Sequence, residues 1–195
     1  MIAPNPSRPT QPRPRLVCID PGSTASGVVV YDGEIPSGPV VYAAKVDNIE
    51  LLKALRAREI VHDVAENGVP KWRVVKADLH GPHVLVVEMI ASYGMPVGAE
   101  VFETCVHIGR CLEAWSGEAV RIYRREVNLA LCNSPRANDA TIRQAILDRF
   151  GGKDRAVGRK ATPGPLYAVK ADAWAALALG ITYTERGGSR VAGGA

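Results

Sequence analysis

The paired cysteines of a structural zinc site are missing from this sequence. None of its cysteines belongs to a CxxC pair and no histidine stands at zinc-finger spacing from them; the four are Cys18, Cys105, Cys111 and Cys132. Cys18 falls in a strand-like run and Cys105 on an apolar helical face, where cysteine usually packs as a small hydrophobic side chain. Reduced thiols fit this pattern, so we expect a cytoplasmic protein.

Long hydrophobic runs are missing as well. No apolar stretch approaches the roughly 20 residues that cross a bilayer. The N-terminal segment is rich in proline and arginine and has no apolar core of the kind that a signal peptide needs. We therefore expect an intracellular protein with no membrane partner. No internal repeat is visible, which argues against a solenoid or a propeller.

The sequence does contain enough apolar residues for one ordinary domain. Its 195 residues are 47% hydrophobic, which suffices for a sizeable core without disulfides or structural metal. The Pro- and Arg-rich residues 1–14 predict a disordered tail, residues 15–184 the folded domain, and the Gly-rich residues 185–195 a second flexible tail. A formal net charge of +4 favours an anionic partner, of which nucleic acid is one.

The order of strand and helix signals predicts an α/β fold. Three β-branched runs joined by tight turns form an antiparallel meander, and later strands that alternate with helices add parallel members. The prediction is a five-stranded mixed sheet flanked by helices. The predicted strands are 15–20, 27–31, 39–46, 83–88 and 119–123, and the predicted helices are 49–65, 98–115, 139–150 and 168–183.

Two of the predicted strands end on an acid. The apolar runs 16–20 and 84–88 close on Asp20 and Glu88, and a third acid, Asp172, begins the apolar C-terminal helix. A carboxylate at the end of such a run is costly to bury unpaired. Three of them brought together form an oxygen-rich site that suits Mg²⁺ or Mn²⁺ and the cutting or transfer of phosphodiesters. For each acid alone, the capping of a turn is the simpler interpretation.

Three segments carry a family resemblance. Residues 19–27, IDPGSTASG, resemble the opening motif of RuvC-type Holliday junction resolvases, which have the RNase H-like fold. Residues 84–88 are similar to the second acidic strand of that family, and residues 167–178 resemble its closing helix. Together with residues 164–166, this last segment looks most like the RuvC-like resolvases of bacteriophages and prophages. The motifs occur in the family's order, and the resemblance spans residues 15–183.

The resemblance implies a set of catalytic residues and a cofactor. Asp20 and Glu88 match the family's first two catalytic acids, and Asp172 matches the first acid of its closing motif. The second acid of that motif would fall at Ala175, so the chain departs from the four-acid pattern and a three-carboxylate site is implied. Two divalent ions, Mg²⁺ or Mn²⁺, held by these acids would lie roughly 3.5–4 Å apart.

Several basic residues are candidates for contacting DNA. In the resolvase family a loop before a helix supplies basic residues near the scissile phosphate, and Arg136 stands in the corresponding loop. A solvated surface loop is the alternative interpretation for most of the others. Lys170 and Asp139 are also the two candidates to replace the missing fourth acid. The DNA-binding candidates are Arg136, Lys153, Arg155, Arg159, Lys160 and Lys170.

Taken with the family resemblance, these features predict a metal-dependent crossover junction endodeoxyribonuclease. It would resolve Holliday junctions or other branched DNA, in recombination and repair, by phosphodiester hydrolysis. A homodimer is expected because a four-way junction offers two related scissile strands. Phe102 and His107 lie off the apolar stripe of the second helix and are candidates for the dimer contact. The alternative, suggested by Ala175, is an RNase H-like protein that binds junctions with little or no cleavage.

Overall fold

The structure is a computed structural model that describes residues 14–60, 65–66, 69–70, 77–81, 83–92, 94 and 96–188. The predicted tails, 1–14 and 185–195, lie outside these residues apart from Pro14 and residues 185–188. The strands are β1 Leu16–Asp20, β2 Ala25–Tyr31, β3 Val40–Asp47, β4 Glu59–Ile60, β5 Ala65–Glu66, β6 Val69–Pro70, β7 Ala77–Asp78, β8 Val84–Met89, β9 Glu118–Tyr123, β10 Gly158–Arg159 and β11 Thr162–Pro163. The helices are α1 Asn48–Ala57, α2 Ala99–Ala114, α3 Arg124–Cys132, α4 Asp139–Arg149, α5 Lys153–Ala156 and α6 Ala173–Glu185.

A five-stranded mixed sheet forms the centre of the molecule, as the sequence predicts. Its strand order is β3-β2-β1-β8-β9. The first three strands pair antiparallel, whereas β1 with β8 and β8 with β9 pair parallel. Parallel neighbours need a crossover connection, and the crossover between β8 and β9 is made by α2. The remaining short strands form three separate two-stranded pairs.

Helices cover both faces of this sheet, and the alternation of side chains along β1 shows why. Leu16 and Cys18 pack into the core shared with α3, α4 and α6, whereas Val17 and Ile19 pack into the core shared with α1 and α2. A strand that is buried on both faces reads as a continuous apolar run, which explains the sequence of β1. Asp20 continues the alternation and therefore belongs to the α6 face.

Gly180 lets α6 pack closely on the centre of the sheet. A Cβ atom at this position would lie 2.8 Å from the Cys18 sulfur and 3.3 Å from the Tyr31 ring. Because nothing but glycine fits there, the helix axis approaches β1 and β2 more closely than a larger residue would allow.

Two predicted helices, 49–65 and 168–183, have different bounds in the structure, and helices α3 and α5 were not predicted. The predicted helix 49–65 ends at Ala57, because Arg58 adopts a left-handed conformation and the chain then pairs β4 with β7. Helix α3 was not predicted; its N-terminus has no Ser, Thr, Asp or Asn cap, and Glu126 instead accepts a hydrogen bond from the Tyr123 amide at 2.7 Å. The last helix begins at residue 173 rather than 168, since Ala171 has a positive φ of 43°.

None of the helices within the described ranges is both long and apolar enough to cross a membrane.

Candidate active site

Asp20 and Glu88 lie side by side at the carboxyl ends of neighbouring parallel strands. In the register of β1 with β8, Ile19 stands opposite Val87, and each acid is the next residue along its strand. Val84 and Val86 face the α6 side of the sheet, so alternation places Glu88 on the same face as Asp20. The structure thus brings together the two acids that the sequence singled out.

The two carboxyl groups line the same cavity and influence each other's ionisation. Burial and, after it, the charge of Asp20 raise the pKa of Glu88 from 4.5 to about 8, and burial raises the pKa of Asp20. Glu88, whose side chain is only 13% exposed, therefore keeps its proton to a higher pH than an exposed glutamate does.

Asp172 approaches this pair from α6. It is the N-cap residue of that helix, and its backbone packs on Gly27, where a Cβ atom would lie 2.6 Å from the Asp172 carbonyl oxygen. Gly27 is the β2 neighbour of Asp20, so the glycine brings the third acid to the site. The charge of Asp172 contributes to raising the pKa of Asp20.

Lys45 holds the Asp172 carboxylate in an ion pair of 2.7 Å. The lysine lies on β3 opposite Gly27, and its pairing with Asp172 raises the pKa of Lys45. Within the described part of the chain, no three acidic, histidine or cysteine side chains are arranged to hold one metal ion. Asp172 is therefore near the Asp20–Glu88 pair but is not joined to it.

Arg124 is a second cation of the site that the sequence did not single out. It begins α3 directly after β9, and its guanidinium lies 3.8 Å from the Glu88 carboxylate and contacts Asp139. The charge of Arg124 lowers the pKa of both Asp20 and Glu88, although less than burial raises them. The sequence could not single out Arg124 because arginines also stand at positions 121 and 125. Only the pairing of β9 with β8 shows which of the three lies beside Glu88.

Two open cavities meet at this site, and Asp20 and Arg124 line both of them. The first, of about 320 Å³, is also bounded by Glu88 and is here named the Glu88 cavity. The second, of about 130 Å³, also has Arg143 in its wall and is named the Arg143 cavity. Ala175, at the position of the missing fourth acid, lines the second cavity. The acid is therefore absent from a position that faces the site.

A chain of buried polar groups supports the turn that follows Asp20. The Asn48 amide donates to the Gly22 carbonyl oxygen at 2.9 Å, and the Ser26 hydroxyl donates to Asn48 Oδ1 at 2.7 Å. His107 Nε2 lies 3.2 Å from the Ser26 oxygen and donates to it, because the single hydroxyl proton is already used. His107 is 4% exposed, so the prediction that it contributes to a surface contact between two copies is wrong.

The basic residues proposed to contact DNA occupy different parts of the surface. Arg136 is exposed in the loop between α3 and α4, and Lys170 is exposed two residues before Asp172. Arg155 lines a separate cavity together with Pro36 and Pro165, at the end of the sheet where β1 begins. The structure places the remaining three, also exposed, on α5 and the hairpin β10–β11; they are Lys153, Arg159 and Lys160.

The two residues considered as replacements for the fourth acid differ in their surroundings. Asp139 lines the Arg143 cavity and pairs with Arg124. Its side chain is 86% exposed, and it lies in the first turn of α4, which Asn138 caps through the Thr141 amide at 2.9 Å. The backbone carbonyl oxygen of Lys170 accepts a hydrogen bond from the Ala173 amide at 3.0 Å, at the start of α6.

Comparison with known proteins identifies the fold. No protein-family model matches the sequence, and no curated protein matches it. Among solved structures, the chain is similar to Thermus thermophilus RuvC, with 17% identity and a TM-score of 0.51 over 89% of this chain and 96% of the other. It is also similar to T. thermophilus RuvC in complex with a Holliday junction substrate, with 15% identity, a TM-score of 0.53 and the same coverage. The sheet topology and this likeness give the chain a RuvC-like variant of the RNase H-like fold.

Proposed function

We propose that this protein is a metal-dependent endodeoxyribonuclease that resolves four-way or other branched DNA. The observation that carries the proposal is the Asp20–Glu88 carboxyl pair at the ends of two central parallel strands. Asp172, the acid of the third sequence motif, lies nearby at the start of α6. A structural neighbour that holds a Holliday junction supports branched DNA as the substrate.

The residues present suit a hard divalent cation such as Mg²⁺ or Mn²⁺. All candidate ligands are carboxylate oxygens, and the raised pKa of Glu88 marks a carboxyl pair whose ionised form a cation would stabilise. Asp20 and Glu88 would hold the metal. Asp172 would become a further ligand once its carboxylate leaves the ion pair with Lys45. A pair of bound ions supplies an activated water and stabilises the leaving 3′ oxygen.

The protonation of Glu88 is expected to control metal binding. Because the pKa of Glu88 is raised to about 8, Glu88 has to lose its proton before both carboxylates can bind a cation, so metal affinity should rise with pH. Arg124 and Lys45 neutralise the acids until then. The Asn48 hydrogen bond to Gly22 holds the turn after Asp20, which keeps that carboxylate directed into the site.

The direct test is cleavage of a synthetic four-way junction. Purified protein with Mg²⁺ or Mn²⁺ is expected to nick two opposed strands symmetrically, and chelation by EDTA is expected to abolish the products. Gel analysis of end-labelled strands locates the cuts, and linear duplex of the same sequence is the control substrate. Equal cutting of duplex and junction would contradict structure selectivity.

A junction-binding protein with little cleavage is the second candidate function. Two observations favour it, namely Ala175 in place of a fourth acid and the engagement of Asp172 by Lys45. The same experiment separates the two candidates. Junction binding without nicking in either metal would support the second and would end the proposal of a nuclease.

We also propose that the protein acts as a homodimer through α2. Phe102 and Val106 lie one helical turn apart on this helix and are 60% and 59% exposed. An apolar pair of this size on a helix surface is a candidate contact between copies of the chain. In a symmetric interface each residue is buried twice, once from each protomer.

Replacing Phe102 tests the dimer. We expect Phe102→Asp to weaken self-association at least about 100-fold, because burial of a phenylalanine contributes about 1.5–3 kcal/mol per copy. Sedimentation velocity over a concentration series gives the association constant. Leu129→Asp is the matched control, since Leu129 is also exposed, at 41%, but lies on α3. A wild-type chain that stays monomeric, or an equal effect of both variants, would contradict the proposed interface.

The finer assignments belong to the same proposal. The likeness of residues 164–178 to phage and prophage resolvases supports a phage-type enzyme acting in the cytoplasm of a bacterial host. The folded nuclease domain would comprise residues 15–184. The basic loop would add salt-dependent affinity for the DNA backbone through Lys153, Arg155, Arg159 and Lys160, with Arg136 and Lys170 closer to the acids.

A further inference from the structure

The Arg143 cavity contains a cation whose partner is not a carboxylate. The Arg143 guanidinium stacks on the Trp174 ring, 4.7 Å from its centre, and no ion pair joins it to any acid among the described residues. A stacked guanidinium keeps its N–H edge free for a planar, bidentate acceptor. Trp174 is itself 9% exposed, so the ring provides a rigid support that holds the arginine in place.

The other cations of the site are already paired. Lys45 binds Asp172, and Arg124 contacts Asp139 and lies near Glu88. Of the two arginines that line the Arg143 cavity, Arg143 is therefore the one without a carboxylate partner in the described part of the chain. Three acids, Asp20, Asp139 and Asp172, also line the cavity, and Ala175 adds no fourth. Asp139 and Asp172 are paired with Arg124 and Lys45, which leaves Arg143 without a carboxylate partner among these described residues.

The size and position of the cavity indicate what it could bind. Its volume of about 130 Å³ is several times the ~30 Å³ that one water takes up in the liquid, which leaves room for a tetrahedral oxyanion. It shares Asp20 and Arg124 with the Glu88 cavity. A DNA strand with one phosphate at the acid pair would therefore pass its neighbouring phosphate over Arg143.

We propose that the Arg143 cavity is a subsite for a backbone phosphate adjacent to the one that is cleaved, with Arg143 as its ligand. The proposal rests on the proposed nuclease function for its substrate, although the cavity's preference for phosphate can be tested without it. The subsite would position the strand rather than take part in bond cleavage. Arg143 is thus a substrate-binding residue on this proposal.

The first experiment tests the cavity without DNA. Inorganic phosphate is titrated into ¹⁵N-labelled full-length protein, and the arginine Nε–Hε signals are followed by NMR. We expect a saturable shift of the Arg143 signal, and we expect Arg143→Gln to abolish the accompanying shift of Arg124, which lines the same cavity. Arg56→Gln is the matched control, because Arg56 is an exposed arginine on α1 that pairs with Glu113 at 3.3 Å, on the opposite face of the sheet. Unshifted Arg143 signals would overturn the proposal.

The second experiment identifies DNA as the source of the phosphate. In cleavage of a four-way junction, Arg143→Gln is expected to raise KM about 10-fold with kcat within about twofold, and to reduce the slope of log affinity against log salt by about 1. Arg143→Lys keeps the charge but not the planar fork, so it should restore the salt slope and only part of the affinity. Arg56→Gln should change neither quantity.

The outcomes of the two experiments are separable. If the chain neither binds nor cuts junctions, the proposed nuclease function fails, and the phosphate titration still decides whether the cavity binds the anion. If phosphate binds but Arg143→Gln leaves the salt slope and KM of a working nuclease unchanged, the cavity takes free phosphate and the backbone subsite is refuted. A fall in kcat with constant KM would also refute it.

Discussion

The Asp20→Asn and Glu88→Gln variants are expected to bind a four-way junction as tightly as the unchanged protein while cutting it at least about 10³-fold more slowly. That loss corresponds to about 4 kcal/mol of transition-state stabilisation. The reason is that each substitution replaces one oxygen ligand of the pair by an uncharged amide, at the point where the two strands end together. Binding persists because neither change removes a positive charge that could face DNA phosphates.

Rates and affinities are measured separately for this test. Single-turnover cleavage in Mg²⁺ gives the rate, and gel shift in Ca²⁺ gives the affinity. Glu50→Gln is the matched control, because Glu50 is an exposed carboxylate whose ion pair, to Lys53 at 2.7 Å, lies on α1 away from the site. Circular dichroism confirms that each variant is folded. Wild-type cleavage by either active-site variant would contradict the assignment of the acid pair.

The metal-free protein is expected to lose stability as the pH rises from about 4.5 to about 8. The pKa of Glu88 is about 8 in the folded state and 4.5 for an unperturbed glutamate, so the folded state binds the extra proton in this range. Stability then falls with increasing pH, because the slope of the unfolding free energy follows the difference in bound protons. The full loss is on the order of 5 kcal/mol.

Glu88→Gln isolates this effect from other titrating groups. Burial lowers the pKa of His107, which makes stability rise with pH below about 6.5 and so opposes the Glu88 effect. Urea unfolding at pH 5, 6.5 and 8.5 in EDTA, compared between the wild type and Glu88→Gln, removes the contribution of His107. The difference between the two proteins should change with pH in the direction that favours the variant at pH 8.5. A constant difference would show that Glu88 is ionised throughout.

Magnesium should reverse the loss. A cation that binds only the folded state stabilises it by mass action, and it binds the ionised carboxylates. The gain in unfolding free energy on adding Mg²⁺ is therefore expected to be larger at pH 8.5 than at pH 5.

Much of the fold could be predicted because its signals are local. The β-branched runs, the turn residues after Asp20 and the apolar period of α2 are each set by residues close together in the chain, and they predicted the succession of strands and helices along the sequence. Helix α3 was missed because its stability comes from contacts rather than from a capping sequence. Val127 and Leu131, its buried residues, pack on the core under α6.

The acid pair could be predicted, and its charged partners could not. Asp20 and Glu88 each follow an apolar run, which is visible in the sequence. Lys45 and Arg143 reach the site through the β3 register and the position of α4 against α6. Both depend on contacts between residues far apart in the chain, and no local pattern reports them.

The sequence by itself therefore determined which carboxylates end the central strands, and on which face, since side chains alternate along a strand with a period of two. Only the tertiary structure decided the pKa values of these carboxyl groups and which charged residues lie beside them. Burial and the charge of Asp20 raise the pKa of Glu88, Lys45 forms an ion pair with Asp172, and Arg143 stacks on Trp174 without a carboxylate partner among the described residues. The physical reason is that electrostatic interactions depend on distance and desolvation in space, which the chain acquires only once its strands and helices have packed.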